Sequence, residues 1–180
     1  MKKTSIFKKI IFIVVIILLI PFIAYSQKTT EKYRIGTFDS RCIAIAYAKS
    51  DFLKNKDSDL RKEAEKAKAE GNETRVNELD KIGQHLQFIL EQQVFSTGSV
   101  INIIEKIKDK IPAIAEKNNV KLILSKWELF YHDDSLEIVD VTDQILNIFN
   151  LDEQSRRNIV ESMKKTEPVP MEQIFSESNK

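Results

Sequence analysis

The chain has 180 residues, 42% of them hydrophobic, and its 28 basic and 27 acidic side chains nearly cancel. Nothing in that balance calls for nucleic acid or an anionic membrane as a partner. There are only four glycines, four prolines and one cysteine, and the lone Cys42 cannot form an internal disulfide, so stability must come from packing or from association.

The amino terminus carries Lys2, Lys3, Lys8 and Lys9, then an apolar run over Ile10–Ile20 that Pro21 breaks. Ala24-Tyr25-Ser26 sets small residues before a cut between Ser26 and Gln27, the layout of a cleavable signal peptide over residues 1–26. The rival reading is an uncleaved anchor, but a spanning helix takes about twenty apolar residues and this run is shorter. No cysteine stands at the cut, which argues against a lipid-anchored form. Processing removes four lysines and no acid, leaving 24 basic against 27 acidic residues. Residues 27–32 then form a linker.

A body domain is expected over residues 33–150. Ile35 and Thr37 alternate with Gly36 and Phe38 in a strand over about 33–40, with Asp39-Ser40 offering a turn or a helix cap. A helical arm follows over about 42–117. Ala46, Leu53, Leu60 and Ala67 recur at intervals of seven, Gly71-Asn72 interrupts, and Leu79, Ile82, Leu86 and Ile89 resume. Two narrow apolar seams on either side of a tight turn predict an antiparallel, coiled-coil-like helical hairpin. Around Gln92-Gln93 and Ser96–Ser99 the seam lacks large apolar groups, which fits either a helix break at Gly98 or a compliant point in one continuous helix. Val100, Ile103, Ile107 and Ile114 then keep the phase, and Pro112 predicts a kink.

From Val120 the pattern turns to strands over about 120–141. Val120, Leu122 and Leu124 share one face, Trp127, Leu129 and Tyr131 follow, and His132–Ser135 reads as a turn before a last strand at Ile138–Val141. Thr142 or Asp143 caps a helix over 143–150, and residues 151–180 give a short helix and a tail. The fold class is therefore α+β: a small β-sheet body, with Ile35, Phe38, Leu122, Leu124 and Ile138 as its core and association faces, carrying a long helical hairpin. So small a body buries little by itself, which points to an oligomer.

Enzyme motifs are scarce: the sequence has no glycine-rich phosphate loop, no CxxC, no HExxH and no GxSxG elbow. His85 reads as a solvated helical residue. His132-Asp133-Asp134 reads as a turn rather than a metal site, Cys42 as a small buried hydrophobe rather than a nucleophile, and Trp127 as core. No residue is assigned a catalytic, cofactor-binding or metal-binding role, and no cofactor is expected.

Taken in order, "RIGTFDSR", the charged hairpin, "VKLILS" and the closing "VDVTDQILNIF" resemble the Skp/OmpH family of periplasmic chaperones. Asp140, Val141 and Thr142 fill the family's acidic, β-branched and Thr places between the last strand and its helix. The resemblance covers about Tyr33–Asn150. It implies a periplasmic homotrimer with a shared β-body and helical arms that hold unfolded outer-membrane or envelope proteins without catalysis. Two features depart from it: residues 50–118 carry 12 basic and 13 acidic side chains, where well-known members are strongly basic, and the hairpin is somewhat short. Membrane contact stays open on this reading. The alternative is an envelope adaptor that docks its hairpin on one folded partner.

Processing is directly testable. Intact-mass analysis of the exported protein should place its amino terminus at Gln27; residues 1–26 retained in a membrane fraction would establish the anchor instead.

Overall fold

The computed structural model describes residues 33–170 and 172–174. The expected signal segment, with the Ser26–Gln27 cut, and the linker lie outside them. The described chain is a mixed helix-and-sheet fold. It runs β1 (Tyr33–Phe38), α1 (Ser40–Lys49), α2 (Asp51–Ala69), α3 (Glu73–Phe95), α4 (Ile101–Ile107), α5 (Ile111–Lys117), β2 (Ile123–Ser125), β3 (Leu136–Asp140), α6 (Thr142–Leu146) and α7 (Glu153–Lys164). Short 3-10 turns come after α4, β2 and α6. Among the described residues no helix is long and apolar enough to cross a membrane.

The sheet is parallel throughout, in the order β2-β1-β3. Gly36 faces Ile123 across one pair and Val139 across the other. As the central strand, β1 is covered on both sides at its carboxyl half, where Gly36, Thr37 and Phe38 are all buried. Gly36 is required there because its neighbours approach so closely. A Cβ at this position would lie 2.9 Å from Ile123 Cγ1 and 3.3 Å from Val120 Cγ2.

Parallel pairing dictates the course of the chain after β2. Two strands that flank β1 in the same direction need a connection that returns the length of the sheet. Residues 126–135 are that return: a 3-10 turn at Lys126–Glu128, then unpaired chain to Leu136, which sits opposite Tyr33. The expected strand face of Trp127, Leu129 and Tyr131 is therefore corrected, because these residues pair with no strand. Phe38 is buried, and Ile35, Leu124 and Ile138 are half-buried. Leu122 differs: it precedes β2, offers the sheet only its backbone carbonyl as acceptor for Gly36 N–H (2.8 Å), and is 53% exposed.

The helices start and stop for local reasons. The Asp39 carboxylate caps α1 by accepting from Arg41 N–H at 3.0 Å. Ser50 ends α1 in an extended conformation, its hydroxyl donating to Tyr47 O. Gly71 adopts φ 69° between α2 and α3, and Asn72 caps α3 by accepting from Arg75 N–H. After Phe95 the helix breaks, and the continuous-helix alternative falls. Buried Gln93 closes the loop by donating to Ser99 O (2.7 Å) and Asn102 Oδ1 (2.6 Å). Pro112 produces no interior kink. It stands at the start of α5, where a missing N–H costs nothing.

The core gathers around α1, whose Cys42, Ile43, Ala44 and Ala46 are fully enclosed. Ile103, Val141, Ile145, Leu146 and Phe149 pack about them. Beyond Pro170 little is described, but Val169 N–H donates to Phe95 O at 2.8 Å and Ile174 is buried. The stretch before the terminus is thus tied to the end of α3, where the sequence alone predicts a loose tail.

A pair of glycine substitutions checks this packing. Gly36→Ala should destabilise by about 1–3 kcal/mol through overpacking. Gly83→Ala, where a Cβ meets nothing within 4 Å, should stabilise α3 by roughly 0.5–1 kcal/mol. Urea denaturation midpoints that move in opposite directions are the expected result.

Candidate functional site

Because the three strands run the same way, their carboxyl ends converge on one edge of the sheet. Asp39 follows β1, Lys126 and Trp127 follow β2, and Thr142 follows β3. The sequence reads Asp39 only as a cap or turn, yet it is the centre of this edge. It is 5% exposed, and its carboxylate accepts from Lys126 Nζ (2.8 Å), Arg41 Nη2 (3.2 Å) and Trp127 Nε1 (3.2 Å) besides the α1 backbone. Its own N–H donates to Thr142 Oγ1 at 3.0 Å, joining the ends of β1 and β3.

Arg41 is 1% exposed, so its charge needs complete compensation. Besides Asp39 it donates to two backbone carbonyls at the end of α7, Met163 O (3.0 Å) and Thr166 O (2.7 Å). Met163 O belongs to the last turn of α7, whose carbonyls lack helical partners and sit at the negative end of the helix dipole, which suits a cation, and Thr166 O lies two residues past the helix. The Trp127 ring completes the enclosure, with the Arg41 guanidinium 4.8 Å and the Lys126 ammonium 4.4 Å from its centroid. Trp127 is thus half-buried against charge rather than in the apolar core. A sequence signal for this cluster does exist: an acid two residues before an arginine at the end of a buried strand.

The electrostatics favour the charged form of the carboxylate and the neutral form of the thiol. Burial raises the Asp39 carboxyl, but hydrogen bonds from Arg41, Lys126 and Trp127 outweigh it and hold the group below its ordinary value of 3.8. Burial, and then the Asp39 charge, push the Cys42 thiol up to about 12. Near neutral pH an ionised carboxylate and a protonated thiol give the edge the chemistry of a clamp. The remaining residues weighed on the sequence do not converge here. His85 is exposed on α3, and His132 and Asp133 lie on the exposed return loop, where the Asp133 carboxylate accepts from Ser135. Among the described residues no group of three His, Cys, Asp or Glu side chains could hold a metal ion.

A second feature is apolar surface. Phe130 is 94% exposed and Tyr131 82%, and Tyr33 and Leu122 are also open to solvent. All four belong to the sheet or to the connections beside it. The α2–α3 pair is thinly packed by comparison, with Ala67 and Leu79 buried along its length before Gln93. Its surface is laced by ion pairs such as Arg61–Asp57 (2.8 Å) and Arg75 with Glu63 (2.6 Å) and Glu78 (2.7 Å). Exposed pairs of this kind each contribute only a few tenths of a kcal/mol.

The clamp predicts an acid limb of stability. Asp39 is lowered on folding, so its contribution is complete above about pH 4 and is lost as pH falls through the folded-state value. Asp39→Asn leaves Arg41 buried without its counter-ion and should cost about 3–5 kcal/mol at pH 7. Thermal melts between pH 2 and 7 should show a shallower acid limb in that variant than in the parent. An unchanged limb would assign acid sensitivity to other carboxylates.

Comparison of the chain with protein-family models, with curated proteins and with solved structures finds no match.

Proposed function

We propose that this protein is an exported holdase-type chaperone that works in the periplasm as a homotrimer, binding unfolded outer-membrane or envelope proteins without catalysis. The observation that carries the reading is that four apolar side chains on the sheet and the connections beside it are left open to solvent. Phe130 and Tyr131, with Tyr33 and Leu122, stay in water in the single chain, although burying an aromatic side chain is worth about 2–3 kcal/mol. Exposed apolar side chains in this number on a small domain are suited to association with further copies. The α2–α3 pair then serves as the arm, and its alanine-lined seam near Gly71 leaves the tip soft enough to spread around clients of different size. The resemblance to the Skp/OmpH family supports the same assignment. Near-neutral arm charge implies a grip built from many weak apolar and polar contacts rather than from net attraction.

Sedimentation of the mature protein tests association first. A trimer is expected. The double variant Phe130→Asp, Tyr131→Asp should keep the far-ultraviolet spectrum and fall to monomer; a parent chain that is monomeric at tens of micromolar overturns the assembly. Client binding is tested by light scattering. The protein should suppress aggregation of several unrelated unfolded outer-membrane proteins, with hydrogen exchange at residues 56–81 fast alone and slowed by client. Failure to protect any of them, with a trimer intact, would favour the adaptor that docks one folded partner.

A further inference from the structure

After Thr166 the chain passes to the end of α3. Because Pro168 and Pro170 carry no N–H, Val169 is the one backbone donor of that stretch, and it donates to Phe95 O at 2.8 Å. That carbonyl is the last of α3 and has no partner within its own helix. Past Pro170, Gln173 N–H donates to Pro170 O (3.0 Å), and the next residue, Ile174, is 8% exposed. Val169 and Ile174 form one wall of a groove, and Phe88, Glu91 and Phe95 of α3 stand on the other. The cover is incomplete, since Phe95 remains 56% exposed.

The hold is thin. Glu167 and Pro170 are exposed, Val169 is half-buried, and Ile174 is the one enclosed residue among those described after Thr166. Segments with so little buried apolar surface open well below the free energy of global unfolding. What returns this one to its place is a tether. Arg41 donates to Thr166 O at 2.7 Å, so the segment leaves the clamp within reach of α3 and rebinds at the high effective concentration of an intramolecular contact. Its form is as informative as its strength. Between Thr166 and Pro170 it has neither helix nor strand pairing, and it is seated through a backbone N–H on a helix end and an aliphatic side chain in a groove. An unfolded polypeptide offers the same two groups.

We propose that residues 167–170 and 172–174 are a releasable strap, which covers the groove on α3 and competes there with extended apolar segments of unfolded client chains. The competition rests on the chaperone reading; the cover itself does not. Closed, the strap shields the groove and satisfies Phe95 O. Open, it leaves both to a client segment that sets an apolar side chain beside Phe88 and an N–H on the free carbonyl. Client affinity at this groove is then reduced in proportion to the fraction of molecules that are open, so a weak strap tunes binding without abolishing it.

Two variants of the mature protein test the strap: a chain ending at Glu167, which keeps both carbonyl acceptors of Arg41, and Ile174→Asp at full length. Both should keep the far-ultraviolet spectrum. Both should exchange the amides of residues 88–95 at least five-fold faster than the parent and bind more anilinonaphthalene sulfonate. Exchange and dye binding equal to the parent's in both variants overturn the strap. Carboxymethylated lactalbumin, which is permanently unfolded, then reads the competition. The variants should bind it at least three-fold more tightly than the parent does. If the parent binds this probe and the opened variants bind it no better, the competition is overturned and the chaperone reading stands. Binding by neither parent nor variants overturns the chaperone reading and the competition with it, while exchange and dye binding still decide the cover.

Discussion

Arg41 lies in the first turn of α1 and bonds to carbonyl oxygens 122 and 125 residues further along the chain, at Met163 and Thr166. A guanidinium so completely buried persists only where every donor has an acceptor and its charge is met. Asp39 meets the charge, and Asp39 is where it is because β1 ends at Phe38 and α1 begins at Ser40. The pair therefore ties the start of the domain to its last long helix. It also draws in β2 through Lys126 and Trp127, and β3 through Thr142.

The second constraint is the direction of the strands. An antiparallel sheet could have used a tight turn after Ser125 and paired the residues beyond it. The parallel order instead sends residues 126–135 back across the sheet as unpaired chain. Its first residues turn inward and become part of the clamp, while Phe130 and Tyr131 are left facing water. The same topological necessity thus supplies a stabilising element and an unsatisfied apolar surface. Association through that surface is the natural way to remove it, and it underlies the proposed assembly.

Stability is unevenly distributed as a result. Around α1 the packing is dense and apolar, with Ile43, Ile103, Ile145 and Leu146 fully enclosed. Along α2 and α3 it thins to alanine, one buried leucine and solvent-exposed ion pairs. A densely packed body thus carries a thinly packed helical pair.

Local chemistry determined a good deal from the sequence alone. Gly71 and Asn72 mark the turn between α2 and α3, since one supplies a left-handed backbone and the other a cap that few residues offer. The α+β character is likewise legible, because alternation near Tyr33 and Ile138 contrasts with heptad spacing between them. What the tertiary structure decided is everything that depends on partners distant in sequence. Strand direction has no local signature, so the fate of Trp127, Leu129 and Tyr131 could not be read from their alternation. Leu122 has the spacing of a core residue and is exposed, since β2 starts one residue later and at the edge of the sheet. Pro112 looks like an interior kink until the helix is seen to restart there. Arg41 looks like any surface arginine until α7 folds over it, and its burial follows from a carboxylate two residues before it and a helix end more than a hundred residues away.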